Sequence, residues 1–244
     1  MVFPDGSSSA PLDLPVPGGR WTALLGPSGV GKSTLLRLTA GLPAGGSLDG
    51  AITADDGQPV DGRVAWMGQT DQLAPWLDVI GNVTLGARLR GARPDRDRAR
   101  AMIARVGLAG RERATPRELS GGQRQRVALA RTLMEARPIV LLDEPFSALD
   151  ARTRAEMQEL AHEVLAGATV LMVTHEPGEA ARLGDAVYLM AETGLAAMAV
   201  PAGAPVRDLA DTAVLEAQAA LWHALRRPTE APGPRRAAGQ GAPA

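Results

Sequence analysis

The segment Gly26-Pro27-Ser28-Gly29-Val30-Gly31-Lys32-Ser33 narrows the folds open to this chain more than any other feature. It fits G-x-x-x-x-G-K-[ST] and lies between an apolar run, Trp21 to Leu25, and a helical pattern, Lys32 to Leu38, that ends near Gly41 and Pro43. Strand, glycine-rich loop and helix in that order is the setting the motif requires. Glycines let the backbone curl until successive N–H groups face one phosphate, and the helix opening at the loop adds the positive end of its dipole. In such a loop Lys32 reaches the β- and γ-phosphates, the Ser33 hydroxyl ligates Mg²⁺, and Thr34 completes the phosphate-binding set. A glycine-rich turn that merely precedes a lysine is the weaker reading, because it leaves the flanking strand and helix unexplained.

Composition sharpens the assignment. Of 26 basic residues, 25 are Arg, a skew of the kind a GC-rich coding bias produces, and the only lysine is Lys32. The rigid guanidinium fork cannot stand in for a compact ammonium in so tight a loop without rearrangement. Acidic residues number 27, so the charges nearly cancel and the chain lacks the net positive footprint of a nucleic-acid binder. The absence of cysteine removes disulfides, thiol catalysis and cysteine-ligated metals together. No apolar run approaches the roughly 20 residues that span a bilayer, and the first residues do not read as a secretory signal. Any membrane role is therefore expected to come through a partner.

Along the chain, Leu12 to Val16 alternates apolar and polar residues and predicts a strand, followed by a turn at Pro17-Gly18-Gly19. Residues 44–62 predict turns and short edge strands, leading to a strand at Arg63 to Met67. From Pro75 to about Arg137 the pattern is helical and broken by Gly91, Pro94, Gly107, Gly110 and Pro116, with the arginine run 88–100 as a solvated face. Buried strands are predicted at Ile139 to Leu142, Thr169 to Val173 and Ala186 to Met190, with an amphipathic helix over 151–165. Alternating strands and helices imply an α/β domain with a mostly parallel sheet. One further helix is predicted over 208–226, and the Pro, Gly, Ala and Arg of 227–244 predict a disordered tail. Neither an internal repeat nor a second phosphate loop is visible, so the chain has one nucleotide site at most.

The run Ile139 to Leu142 ends in Asp143-Glu144, placing two acids at the carboxyl end of a buried strand, where ligands bind in open parallel sheets. Strand-end acids are common on their own. Beside a phosphate loop, Asp143 has a role in binding Mg²⁺, directly or through water, and Glu144 in taking a proton from an attacking water.

Leu119-Ser120-Gly121-Gly122-Gln123 followed by Arg124-Gln125-Arg126-Val127 resembles the signature of ABC ATPases. The phosphate loop, the Gln69 segment, Leu142-Asp143-Glu144-Pro145, Ser147-Ala148-Leu149-Asp150 and Thr174-His175 match the same family in the same order. The resemblance implies a single domain over residues 1–226: a P-loop NTPase (RecA-like) α/β core, an antiparallel β part and a helical subdomain at about 72–137. It implies ATP and Mg²⁺ as ligands. Gln69 resembles the glutamine that contacts Mg²⁺ and the attacking water and links the site to a membrane partner. Alone, it reads as readily as a surface glutamine at a strand end. His175 resembles the switch histidine that bonds the γ-phosphate, whereas His162 and His223 fall in predicted helices. Ser120, Gly121, Gly122 and Gln123 open a helix, which standing alone is just a well-capped helix. In the family this segment contacts the ATP of a second subunit, and Asp150 resembles an aspartate that crosses the same interface. A two-fold pair of cassettes is the expected assembly. Family members usually stack adenine on an aromatic residue near the N-terminus. Here Phe3 is the candidate, and the short run before Gly26 raises the expectation of a truncated N-terminus.

Glu144 to Asp150 looks like the importer form of its region, and the segment Gln69 to Val83 resembles importers of nitrate, sulfonates, taurine or thiamine precursors. Leu85 to Gly91 leans towards the thiamine-precursor (hydroxymethylpyrimidine) group. Trp76, Leu77, Val79 and Ile80 either lie under the coupling helix of a permease or pack the helical subdomain. The implied partners are an integral-membrane permease, a second ATPase subunit and, indirectly, a solute-binding protein, with no nucleic acid. The implied location is the cytoplasmic face of the cell membrane. The competing reading is a soluble ABC ATPase acting on nucleic acid or ribosomes. Such proteins generally carry two cassettes or a long coiled-coil insertion, and neither is visible here.

Overall fold

The structure is a computed structural model that describes residues 1–2 and 9–226. Six strands form one sheet: β1 (Trp21–Leu25), β2 (Val64–Met67), β3 (Ile139–Asp143), β4 (Thr169–Val173), β5 (Ala186–Ala191) and β6 (Gly194–Met198). Their order is β2-β3-β4-β1-β5-β6. All neighbours are parallel except β5 and β6, an antiparallel pair closed by a short turn. The first strand in the chain thus lies inside the sheet, and β4 separates it from β3.

Both faces of this sheet are covered, which is why its strands read as unbroken apolar runs. Side chains alternate across the pleat. On β1, Trp21, Ala23 and Leu25 enter the larger core, while Leu24 enters the smaller one under α1 (Lys32–Thr39). On β4 the same alternation sends Val170 and Met172 to the first and Leu171 and Val173 to the second. The larger core is closed by α2 (Val79–Val83), α4 (Arg96–Arg105), α5 (Gly121–Met134), α6 (Ala151–Val164), α7 (Pro177–Leu183) and α8 (Thr212–Arg226), while α3 (Leu85–Leu89) follows α2 and buries none of its residues. On α4 only Ala99, Met102 and Ile103 are buried, so the arginines at 96, 98 and 100 form the solvated face expected of them. His162 of α6 stacks on Trp21 with ring centroids 5.6 Å apart, and its burial lowers its pKa.

Three expectations are corrected. Leu12 to Val16 forms no strand and pairs with none among the described residues; its alternation is real, since Leu12, Leu14 and Val16 pack on the α1-side core. Apolar period-2 patterning reports one buried face, not the ladder. Residues 44–62 form turns and no edge strand, with one bridge between Val2 and Ser47. The last helix starts at Thr212, not at 208, because Asp208 and Asp211 turn their carboxylates onto the amides of Ala210 and Ala213 and hold two local turns instead. Strand β6 was not anticipated: Gly-Leu-Ala-Ala-Met lacks the β-branched residues that mark a strand. The expectations placed on Phe3 and on 227–244 fall outside the described residues.

Candidate active site

The loops following β1, β2, β3 and β4 all leave the same edge of the sheet, because these strands are parallel. Register brings their ends together: Val173 of β4 pairs with both Leu24 of β1 and Asp143 of β3. The β1 loop is shaped by its glycines in two different ways. At Gly26 a Cβ would lie 2.4 Å from the Met190 carbonyl oxygen, so the chain passes β5 where no side chain fits. At Gly31, φ is 103°, and this residue opens α1 with no side chain of its own to cap the first amides of the helix. Pro27, Ser28 and Gly29 are exposed along the rim, while Val30, Ser33 and Thr34 are half-buried.

Lys32 is buried and donates from Nζ to the carbonyls of Gly26 and Pro27, at 2.8 Å each. Burial lowers its pKa, against the pull of Glu144 and Asp143, which favour the ammonium. Beside it the Ser33 hydroxyl donates to Asp143 Oδ1 at 3.0 Å. Asp143 is 3% exposed, and burial raises its pKa despite the Ser33 bond; the neighbouring Glu144 pushes in the same direction. Two hard oxygen ligands in contact, on a carboxylate whose charge is poorly solvated, are a fitting half-site for Mg²⁺, which takes few protein ligands and completes its shell from phosphate and water.

Glu144 follows β3 with φ of 50°, a left-handed conformation that costs a non-glycine residue about 1–2 kcal/mol. Its amide is bonded to Val173 O at 2.9 Å, so the strand pairing continues through the backbone while the side chain is turned out of the sheet. Two groups meet its Oε2: Gln69 Nε2 donates at 3.2 Å and His175 Nδ1 lies at 3.2 Å. Gln69 comes from the end of β2 and His175 from the end of β4, so three loops converge on one carboxylate oxygen. A carboxylate oriented by two polar groups beside a phosphate cradle has the geometry of a general base for an attacking water.

The remaining predicted residues lie at two other helix starts. Ser120 caps α5: its hydroxyl accepts from Gln123 N at 3.2 Å, and its own amide donates to Gln123 Oε1 at 2.9 Å. Gly121 is exposed and Gly122 half-buried at this same end. Asp150 is exposed and caps α6 by accepting from Thr153 N at 3.0 Å, a bond that lowers its pKa. The side-chain bonds of both groups stay within their own caps.

Several residues that support this site were not singled out from sequence. Gln125 is buried and bonds both the Glu144 carbonyl and the Ala148 amide. Arg124 pairs with Asp71 at 2.9 Å, and Arg131 donates to the carbonyls of Asp71 and Gln72 at 2.8 Å each, so α5 grips the loop just after Gln69. Thr174 donates to Glu179 at 2.7 Å and fixes the turn that carries His175. Arg124, Gln125 and Arg131 are polar residues of α5 turned towards the protein, and Thr174 is a polar residue at a strand end, signals that a reading based on motifs passes over.

The four apolar residues around position 76 divide. Val79 and Ile80 are 1% and 7% exposed and belong to the core, which removes them from any docking surface, whereas Trp76 is 81% exposed and so does not pack the helices. Leu89 at the end of α3 is also open. Among the described residues no helix is long and apolar enough to cross a membrane.

Residues 10–147 match a family model described as ABC transporter. An aliphatic sulfonates import ATP-binding protein, SsuB 1 of Rhodococcus jostii, is 49% identical, with 75% of this chain and 73% of the relative covered. A thiamine import ATP-binding protein, ThiQ of Mesorhizobium japonicum, is 43% identical, with 78% of each chain covered. An uncharacterized ABC transporter ATP-binding protein of Haemophilus influenzae is 43% identical over 86% of each. Among solved structures, the dimeric post-hydrolysis state of the ATP-binding cassette MJ0796 bound to ADP and Pi superposes with a TM-score of 0.66 at 28% identity, covering 81% of this chain and 90% of that one. The chain belongs to the ABC transporter family and is one of its ATP-hydrolysing cassettes.

Proposed function

We propose that two copies of this chain sandwich two ATP molecules and drive import of a small anionic solute, an aliphatic sulfonate being the first candidate, through a separate permease. The observation that carries the chemical half is the meeting of Gln69, Glu144 and His175 at one oxygen. Lys32 leaves its loop carbonyls for the β- and γ-phosphates, while the loop from Gly26 to Thr34 and the uncapped start of α1 present amides to the same anion. Glu144 takes the proton of the attacking water, Gln69 orients that water, and His175 bonds the γ-phosphate side. Ser33 and Asp143 are the residues that would hold Mg²⁺, with Gln69 beside them. When bound, the ion neutralises charge on the β- and γ-phosphate oxygens. Ser120 to Gln123 and Asp150, which bond only within their own caps, are free to serve the ATP of the opposite subunit, so the complete site needs both chains.

Sulfonate is named first because several of the relatives are aliphatic sulfonates import ATP-binding proteins, whereas another is a thiamine import ATP-binding protein. The same relatives argue against a soluble cassette acting on nucleic acid. Trp76 and Leu89, apolar and open, suit docking of a permease helix, in keeping with a chain held at the cytoplasmic membrane face and a solute-binding protein on the far side. Glu144→Gln keeps the shape but cannot accept the proton. The variant is expected to bind ATP normally, to lose turnover, and to abolish sulfonate uptake when paired with its permease in cells. Wild-type hydrolysis by Glu144→Gln would remove the catalytic assignment, and intact uptake of sulfonate without the chain would remove the substrate.

A further inference from the structure

Gln125 sits in the second turn of α5, buried, with both ends of its amide engaged. Its Nε2 donates to the Glu144 carbonyl at 3.0 Å, and its Oε1 accepts from the Ala148 amide at 2.8 Å. The side chain therefore spans the turn from Glu144 to Ala148, the stretch between the carboxylate that faces Gln69 and His175 and the segment that leads to Asp150. Ser147 Oγ donates to the same Glu144 carbonyl at 3.1 Å. Among the described residues Glu144 is one of three non-glycine residues with a positive φ, a backbone setting that persists only where its surroundings hold it. The Val173 bond holds its amide, and Gln125 with Ser147 holds its carbonyl. The start of α5 is also packed hard on this turn: a Cβ at Gly122 would lie 3.2 Å from the Ala148 carbonyl. Further along, Arg124 and Arg131 tie α5 to Asp71 and Gln72, next to Gln69.

We infer that Gln125 is a positioning residue for hydrolysis, coupling the placement of α5, and with it Ser120 to Gln123, to the backbone that aims the Glu144 carboxylate. This rests on Glu144 being the general base. If an ATP of the opposite subunit docks on the α5 start, the helix that receives it is the helix that sets Glu144 in its own chain. Each site is then tuned by occupancy of the other through two hydrogen bonds, without any contact between Gln125 and nucleotide. Misplacing a base by a fraction of an ångström lowers the rate of proton transfer while leaving phosphate binding to Lys32 and its loop intact.

The test uses the full-length chain with ATP and Mg²⁺. Gln125→Met keeps the volume and removes these bonds together with a longer one from Nε2 to Ser147 Oγ at 3.4 Å; Gln125→Glu keeps the acceptor for Ala148 and removes the donor to Glu144. Both are expected to bind a fluorescent ATP analogue as the wild type does, to unfold at the wild-type temperature within a few degrees, and to lose kcat by roughly tenfold or more with KM little changed. Ser147→Ala, made on top of Gln125→Met, is expected to add less than it costs alone, because Ser147 Oγ accepts from Gln125 Nε2 at 3.4 Å and that bond is already lost. Wild-type kcat in either Gln125 variant would overturn the inference. So would a fall in ATP affinity and unfolding temperature matching the fall in kcat, which would make Gln125 a packing residue. Glu144→Gln run alongside separates the premises: if it turns over, the base assignment has failed; if it is inactive while Gln125→Met is fully active, only the positioning role has.

Discussion

Replacing Gly26 by alanine is a test of the close approach between the phosphate loop and β5. The added Cβ would stand 2.4 Å from the Met190 carbonyl oxygen, where real contacts essentially never fall under 3.0 Å, so loop or strand must retreat by 0.6 Å or more. The obstacle is backbone in a strand paired on both sides, so no rotamer change relieves it. Overpacking of this kind typically costs about 1–3 kcal/mol. For a chain of this size, ~2 kcal/mol corresponds to a fall in unfolding temperature of about 4–8 °C. The functional loss should be larger in proportion, because the Gly26 carbonyl accepts from Lys32 Nζ and the ammonium shifts with it. Gly18→Ala is the control: nothing lies within 4 Å of its Cβ position and its φ is not positive, so that variant is expected to match the wild type. Differential scanning calorimetry and ATP-analogue titration read both effects. An unfolding temperature for Gly26→Ala within 1 °C of the wild type (roughly half a kilocalorie or less), with unchanged ATP affinity, would refute the steric reasoning.

Two other perturbations follow from burial. Trp76→Ala removes an exposed side chain that supports no core, so basal ATP turnover and stability are expected to change by no more than about 0.5 kcal/mol, while capture of the permease from detergent extracts is lost. Unaltered capture would exclude Trp76 from the docking surface. Burial raises the pKa of Glu179, with the Thr174 bond and Arg154 opposing. Its folded pKa therefore lies above its unfolded one: the cost of holding it ionised is absent below the unfolded value and is fully incurred above the folded value, so this residue lowers stability as pH rises through that window. Glu179→Gln, which can still accept from Thr174, is expected to flatten that part of the urea-unfolding pH profile; an identical slope in both proteins would show that Glu179 ionises freely.

What could be read from the sequence was whatever rests on contiguous residues. The phosphate loop and the buried strands are short runs whose local pattern and function coincide, and β1, β3 and β4 formed where their apolar runs lie because both faces of the sheet are covered. The same patterning misled at Leu12 to Val16, where alternation marked a buried edge without a partner strand. Val79 and Ile80 show the complementary limit. They share a segment with Trp76, and composition could not tell which side chains face the core; a helix of five residues places two of them inward and leaves the tryptophan ahead of it in solvent.

Gln125 marks a limit of a different kind. It stood inside the segment that identified the family, yet it was read only as part of a match, since a glutamine two residues after Gln123 on a helix carries no chemistry of its own. Its meaning depends on bonds to Glu144 and Ala148, 19 and 23 residues away, and these exist only because β3 ends under the start of α5. Both partners are backbone atoms, so no side-chain identity at 144 or 148 could have announced the pairing. A buried amide with donor and acceptor both satisfied by one turn, at a residue otherwise strained into a left-handed conformation, is a polar contact with a local task. Left unpaired there, it would destabilise the core by about 1–3 kcal/mol. The sequence requirement is thus for a side chain of one length with one donor and one acceptor, which leucine, methionine or glutamate fill only in part, and this ties the start of α5 to the backbone that carries the Glu144 carboxylate.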